Sequence, residues 1–233
     1  MTAWPALQQI LLDGWILRFA DGYTKRANSV NPLYPSFLPP EEKIPICERH
    51  YRERGLPVIF RLTDSAPASL DQELEARDYA SLDPTLVMIR NLSRNGIPAP
   101  DRRVEALNLE EWMAAFEGLH SSPPHGHETH RRIVASISAT RRLVMTVVGD
   151  APASCGMAVL EGGAVGLFDL LTANAHRNQG HASALVADLL GWAHTDGARL
   201  AYLQVTEENT TARRFYENLG FATAYAYRYR RAD

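Results

Sequence analysis

The sequence predicts an α/β protein, and three observations carry that prediction. Runs rich in β-branched and aromatic residues alternate with amphipathic runs through the second half. Within that half, Ala182, Leu185, Val186, Leu189, Leu190 and Ala193 form one apolar stripe at helical spacing. A polar stretch carrying Gly96, Pro98 and Pro100 divides this half from an earlier run of similar make-up.

Taken in order, residues 15–19 and 23–30 read as a strand pair about the turn dipeptide Asp21-Gly22. Residues 39–54 read as a helix opened by prolines and closed near Gly55. A strand over 57–62 carries Val58, Ile59 and Phe60; a helix over 69–77 and a strand over 85–90 complete the half. The second half begins with a short strand over 103–107. Two amphipathic helices, 109–119 and 129–138, flank the loop SSPPHGHE. Strands follow over 141–149, 153–160 and 165–172, the last two joined at Gly162-Gly163. After the striped helix come a strand over 199–205, a helix over 209–219 ended by Gly220, and a last strand over 223–230.

The chain has 233 residues, 45% hydrophobic and 22% charged, enough for one large domain or two small ones. A formal net charge of −3 argues against nucleic acid or an anionic membrane as partner. The stretch MTAWPALQQILLDGW lacks a basic region and is broken by Pro5 and Gln8-Gln9, so no signal peptide is expected. No stretch approaches the roughly 20 apolar residues that span a bilayer. Cys47 and Cys155 lie far apart without metal-ligand spacing, and read as reduced thiols of a cytoplasmic protein.

The two halves are weakly repetitive. A shift of 142 residues places Gly55 on Gly197 and Tyr79 on Phe221, with strand on strand and helix on helix between them. Identity across the shift is low.

The segment GLFDLLTANAHRNQGHASALVADLL runs from a strand, through a polar loop, into the striped helix. A helix start has unpaired N–H groups and the positive end of the dipole. Gly180 and Ala182 let a ligand approach the backbone closely, and Arg177 adds a fixed positive charge. These features suit a pyrophosphate; a tight loop with nothing bound is the plain alternative.

Arg177-Asn178-Gln179-Gly180-His181-Ala182 resembles the acetyl-CoA signature Arg-x-x-Gly-x-Ala of GNAT acyltransferases. Further on, Asn209, Ala212, Tyr216, Gly220 and Phe221 stand where the second motif of that superfamily has them. The proline often found just before the first motif is absent. The resemblance covers residues 102–233. It implies a GNAT-type mixed twisted sheet flanked by helices, with an additional GNAT-like N-terminal region. Residues 1–92 then form a degenerate GNAT-like region, 93–101 a linker, and 102–233 the catalytic domain.

The resemblance also assigns roles. Leu170, Leu171 and Thr172 would bond the pantetheine amides, and Asn209 would touch the same arm. Backbone amides of Gln179, Gly180, His181, Ala182 and Ser183, beside Arg177 and Asn178, would hold the pyrophosphate. Tyr216 would protonate the leaving thiolate, although a core aromatic is the bland reading of that position. Asp169 is a charge inside an apolar strand; it would be a general base, a binder of the substrate ammonium, or a structural hydrogen-bonder. His120, His125, His127 and His130 cluster in HSSPPHGHETH, but the segment has no HExxH pattern, so no metal is expected. In the family fold that loop borders the acceptor, which makes substrate contact one reading and a solvated loop the other. Residues 22–32 would close over the acceptor cleft or form an ordinary hairpin.

The implied activity is transfer of an acetyl group from acetyl-CoA, as co-substrate, to a primary amine. The expected acceptor is a small molecule. A non-catalytic acyl-CoA-binding or scaffold protein, and a protein N-acetyltransferase, are the alternatives. The oligomeric state stays open.

Overall fold

The structure, a computed structural model, describes residues 1–92, 103–120 and 126–232. The expected linker 93–101 and His125 lie outside the described residues. In the first half the elements are β1 (Gln8–Leu12), β2 (Trp15–Phe19), β3 (Val30–Pro32), α1 (Pro40–Arg52), β4 (Ile59–Leu62), α2 (Ala68–Ala76) and β5 (Ala80–Asn91). The second half adds β6 (Val104–Ala106), α3 (Leu109–Leu119), α4 (His127–Ala135), β7 (Thr140–Val148), β8 (Ala151–Glu161) and β9 (Ala164–Thr172). It ends with α5 (His181–Thr195), β10 (Leu200–Thr206), α6 (Thr210–Asn218) and β11 (Ala222–Arg231).

All these strands join one 11-stranded sheet, in the order β1-β2-β3-β4-β11-β5-β10-β9-β8-β7-β6. The β3–β4 and β9–β10 pairs are parallel and the others antiparallel, so the sheet is mixed, as expected. Helices cover both faces. Leu86 of β5 pairs with Ala226 of β11 and packs in the α5 core, while Arg228 and Arg230, on the same side of β11, reach Asp71 of α2. The helices α1, α2, α5 and α6 therefore share one face. Trp112 and Phe116 of α3 and Ile133 and Val134 of α4 build a separate core on the other.

The 142-residue shift lays α2 on α6 residue for residue, α1 on α5, β4 on β10 and β5 on β11. The strands closing the two repeats are exchanged. β5 pairs with β10 of the second half, β11 pairs with β4 of the first, and the two exchanged strands pair with each other. Met88 of β5 is fully buried in the core under α5. Burial of such a side chain contributes roughly 1.5–3 kcal/mol, so the exchange ties the halves by core packing as well as by hydrogen bonds.

One expectation is corrected. The hairpin turn is Asp13-Gly14, with φ of 39° and 80°, and it joins β1 to β2. Both values are positive, as a tight two-residue hairpin requires. A Cβ on residue 14 would lie 2.5 Å from the carbonyl oxygen of Pro35, so only glycine fits. Residues 23–29 are not a strand, and of the expected segment only Val30 enters β3, where it pairs with Leu17 of β2. The others form a loop around a 3₁₀ turn, Lys25–Ala27, and the buried Asn28 supplies the bonds that a neighbouring strand would have made. Its Oδ1 accepts from the N–H groups of Ala20 and Gly22 at 2.7 and 3.0 Å, and its Nδ2 donates to the carbonyls of Tyr23 and Thr24 at 2.7 and 2.9 Å.

Candidate active site

The parallel strands β9 and β10 pair over three positions only, ending at Gly166 and Tyr202. Both strands run on, to Thr172 and Thr206, so a slot opens between them. On its other edge β9 stays paired with β8, but with a bulge between Phe168 and Leu171. Asp169 sits in that bulge with φ 51°. Simple alternation would place Asp169 on the face opposite Phe168. The bulge instead turns its carboxylate toward α4, the side on which Phe168 packs, while Leu170 packs toward α5.

There the carboxylate meets His130. Asp169 Oδ2 lies 2.9 Å from His130 Nε2. The imidazole is fully buried, and Tyr23, Trp4, Trp112 and Phe116 surround it, with ring centroids 4.4 to 5.8 Å away. Its Nδ1 has no partner among the described residues. Burial, with the Asp169 charge as the next cause, raises the Tyr23 phenol well above its ordinary range. The loop after β2 is thus a wall of this site. Asp21 accepts from Thr129 Oγ1 at 3.1 Å and pairs with Arg132 at 2.8 Å, which fixes the loop on α4.

The sequence placed His130 at the start of a helix, at the end of a histidine-rich segment, and drew no link to Asp169. Its one signal was spacing: His130, Ile133 and Val134 share the buried face of α4. The other described histidines of the cluster go elsewhere. His120 stacks on Phe116 at 5.0 Å, and His127 Nδ1 lies 3.9 Å from Glu117. No group of three or more His, Cys, Asp or Glu that could hold a metal occurs among the described residues.

At the end of the slot the chain makes a 3₁₀ turn, Asn174–His176, and enters α5 through two left-handed residues, Asn178 (φ 59°) and Gly180 (φ 83°). Gly180 caps the helix with no side chain, and the first bond into the helix is donated by Ala184 to its carbonyl at 2.9 Å. The N–H groups ahead of Ala184 therefore face outward, as a helix start dictates. Arg177 is exposed beside them. The Arg103 guanidinium comes within 3.7 Å of where a Cβ on residue 180 would stand, a second positive charge at this corner. Side chains here are tied down: Gln179 Nε2 donates to Ala175 O at 2.9 Å, and the buried His181 places Nδ1 2.9 Å from Thr146 Oγ1. Only the backbones of Gln179 and His181 are placed to serve an anion. Ala182 is half-buried and Ser183 exposed.

Tyr216 lies on α6 and packs with Leu170 against the α5 core, so it faces the slot from the side opposite Asp169. Its hydroxyl makes no hydrogen bond among the described residues, and burial pushes the phenol up to about 12. Asn209 caps α6, with Oδ1 accepting from Ala212 N at 3.0 Å. Its amide nitrogen is the part left for a ligand.

On the α3/α4 face, a cavity of about 640 Å³ reaches the slot at Phe168, Tyr202 and Gln204. Trp4, Arg26 and Arg61 of the first half close its far side. Gly166 matters here: a Cβ would stand 2.6 Å from the Tyr202 ring, which would force the two strands apart before the slot begins. No helix among the described residues is long and apolar enough to cross a membrane.

Comparisons with known proteins agree with this architecture. The family described as "Probable histone acetyltransferase Rv0428c C-terminal" matches residues 1–230. An uncharacterized N-acetyltransferase of Bacillus subtilis (strain 168), YobR, is 27% identical over 235 residues, covering 98% of this chain and 94% of its own. A GCN5-related N-acetyltransferase from Kribbella flavida shares the fold with a TM-score of 0.72 at 16% identity, over 97% of this chain and 89% of its own. A tandem GNAT protein from the clavulanic acid biosynthesis pathway does so with a TM-score of 0.66 at 12% identity, over 94% and 77%. The repeated halves, the slot below a helix start and these matches lead to one assignment: the chain belongs to the Rv0428c C-terminal family and, through it, to the GNAT superfamily of N-acetyltransferases.

Proposed function

We propose that this acetyltransferase moves the acetyl group of acetyl-CoA to the primary amine of a small molecule, by direct attack on the thioester. The observation that carries the reading is the parting of β9 and β10 at Gly166 and Tyr202, between a helix start on one face and a cavity on the other. The helix start suits the pyrophosphate, the freed edge of Leu170, Leu171 and Thr172 suits the pantetheine amides, and the cavity suits the acceptor. The first half lines the cavity with Trp4, Arg26 and Arg61, and this narrowing favours a small molecule over a protein chain.

In this mechanism Asp169 takes a proton from the substrate ammonium, directly or through a water, and His130 holds the carboxylate in position. The amine nitrogen forms its bond to the carbonyl carbon as the C–S bond breaks. The electron pair of that bond stays on sulfur. Tyr216 donates its proton to sulfur, and the nitrogen passes its second proton to water, which reprotonates the Tyr216 phenolate, as the amide forms. With its phenol raised to about 12, Tyr216 is fully protonated and acts first as a hydrogen-bond donor to the growing charge. A thiol near 8.5 is the stronger acid, so full transfer is completed only as the nitrogen gives up its proton.

The test is release of free thiol from acetyl-CoA across a library of small amines. Acceleration by amines supports the proposal. Slow hydrolysis that no amine accelerates would point instead to an acyl-CoA-binding protein, and acceleration by peptides alone to a protein N-acetyltransferase.

A further inference from the structure

The cavity on the acceptor side is lined by three arginines, Arg18, Arg26 and Arg61, and by a single carboxylate, Asp64, which is exposed. None of the three makes an ion pair among the described residues. Arg18 is 2% exposed; its terminal nitrogens donate to the carbonyls of Arg26, Met1 and Trp4, and its Nε has no partner. Arg61 lays its guanidinium 3.8 Å from the centre of the Tyr227 ring, and its Nε is also buried and unpartnered. Arg26 lies over Trp4 at 5.0 Å and Phe168 at 5.7 Å, next in sequence to Asp169. The group is self-repelling: burial first, then the charges of Arg61 and Arg26, lower Arg18 to about 10.

The buried Arg18 and the half-exposed Arg26 and Arg61 face one cavity without a carboxylate partner, a cluster of like charge that an anion would offset. The anion of CoA does not fill this role, because the helix start that suits pyrophosphate belongs to α5, on the opposite face of the sheet. We infer that the acceptor is a primary amine that also carries an oxyanion, a carboxylate or a phosphate, held by Arg26 and Arg61 while its amine points to Asp169. A guanidinium presents paired N–H donors that match either group. The Tyr227 hydroxyl donates to Gln204 Oε1 at 2.6 Å, which leaves the Gln204 amide nitrogen as a further donor to the same anion. The inference rests on the acyltransfer reading above and specifies its substrate.

The experiment uses the whole chain and matched pairs of acceptors: lysine, ornithine, glutamate and phenylalanine against their carboxamides, and phosphoethanolamine against ethanolamine. At least one pair should favour the anionic member by about tenfold or more in kcat/KM. The two sets separate carboxylate from phosphate. Arg26→Gln and Arg61→Gln should bring that ratio toward one, an effect that general loss of fold would not produce. If either variant fails to fold, the wild-type ratio alone still decides. Turnover with neutral members as fast as with anionic ones would overturn the inference and leave acyltransfer intact. No turnover with any amine, while acetyl-CoA still raises the melting temperature, would overturn both.

Discussion

His130 Nε2 and Asp169 Oδ2 stand 2.9 Å apart, joining α4 to the bulge of β9. The ring has no partner at Nδ1, and its surroundings are aromatic. Nε2 is the ring nitrogen turned to the carboxylate, so the buried ring fixes where Asp169 points. Asp169 is then aimed by one oxygen and has the other for the substrate. Asp169→Asn keeps the size and loses the capacity to take a proton. We expect kcat to fall about 10²-fold, with the acetyl-CoA-induced rise in melting temperature unchanged. A wild-type kcat would reduce Asp169 to an anchor for His130.

Tyr216→Phe removes one hydroxyl on the other side of the slot. Turnover should drop on the order of 10²-fold while acetyl-CoA affinity holds, because only the proton donor is lost. The pH profile adds a second check. The active form is the protonated phenol, so a raised value extends activity upward. The rate should climb as the acceptor amine deprotonates and show no falling limb below about pH 11, whereas an ordinary tyrosine near 10 would impose one earlier. A descending limb centred near 10 that vanishes in the phenylalanine variant would contradict the burial argument.

Gly180→Glu tests the seat proposed for the pyrophosphate. Gly180 has φ 83°, and a side chain there would grow toward the Arg103 guanidinium. A carboxylate would occupy the anion's place and offset the nearby positive charge. Acetyl-CoA should raise the melting temperature of the wild type and not of this variant, since a ligand stabilises only the state that binds it. Gly180→Ala reports the backbone strain by itself. An unchanged shift in the glutamate variant would place the cofactor elsewhere.

What the sequence disclosed follows the range of its signals. The helix α5 was legible because its stripe is local and strict. The loop into it was legible because Arg177, Gly180 and Ala182 act within a few residues of one another. Two Asp-Gly pairs competed for the first hairpin, and the deciding factor was the burial of Asn28, which no local pattern announces. The exchange of β5 and β11 was illegible for a like reason: an apolar strand does not state which neighbour it pairs with. The His130–Asp169 contact spans 39 residues of chain and depends on a bulge that reverses the expected side. Arg18 and Arg61 lie among strand residues whose side chains would be taken for solvent-facing, and only the packing of the first half encloses them.

The last prediction concerns the first half, which repeats the fold without repeating the seat. At the turn before α1, Pro35, Pro39 and Pro40 carry no N–H, and Glu41 and Glu42 stand in the first turn of the helix. Two of the donors that remain are already taken. Phe37 N and Leu38 N donate to the carboxylate of Asp13 at 3.0 and 2.8 Å, and these bonds, helped by the Lys43 charge and opposed by burial, hold its carboxyl below the ordinary range. The fully buried Lys43 completes the arrangement, 3.5 Å from Asp13. An internal anion thus sits where, in the second half, an external one is proposed to bind. A pyrophosphate would have to displace Asp13 and lose its own water shell for few donors in return. Calorimetric titration with acetyl-CoA should therefore give about one site per chain. Two equivalent sites, or one that survives Gly180→Glu, would mean that Asp13 yields its place and that both halves bind the cofactor.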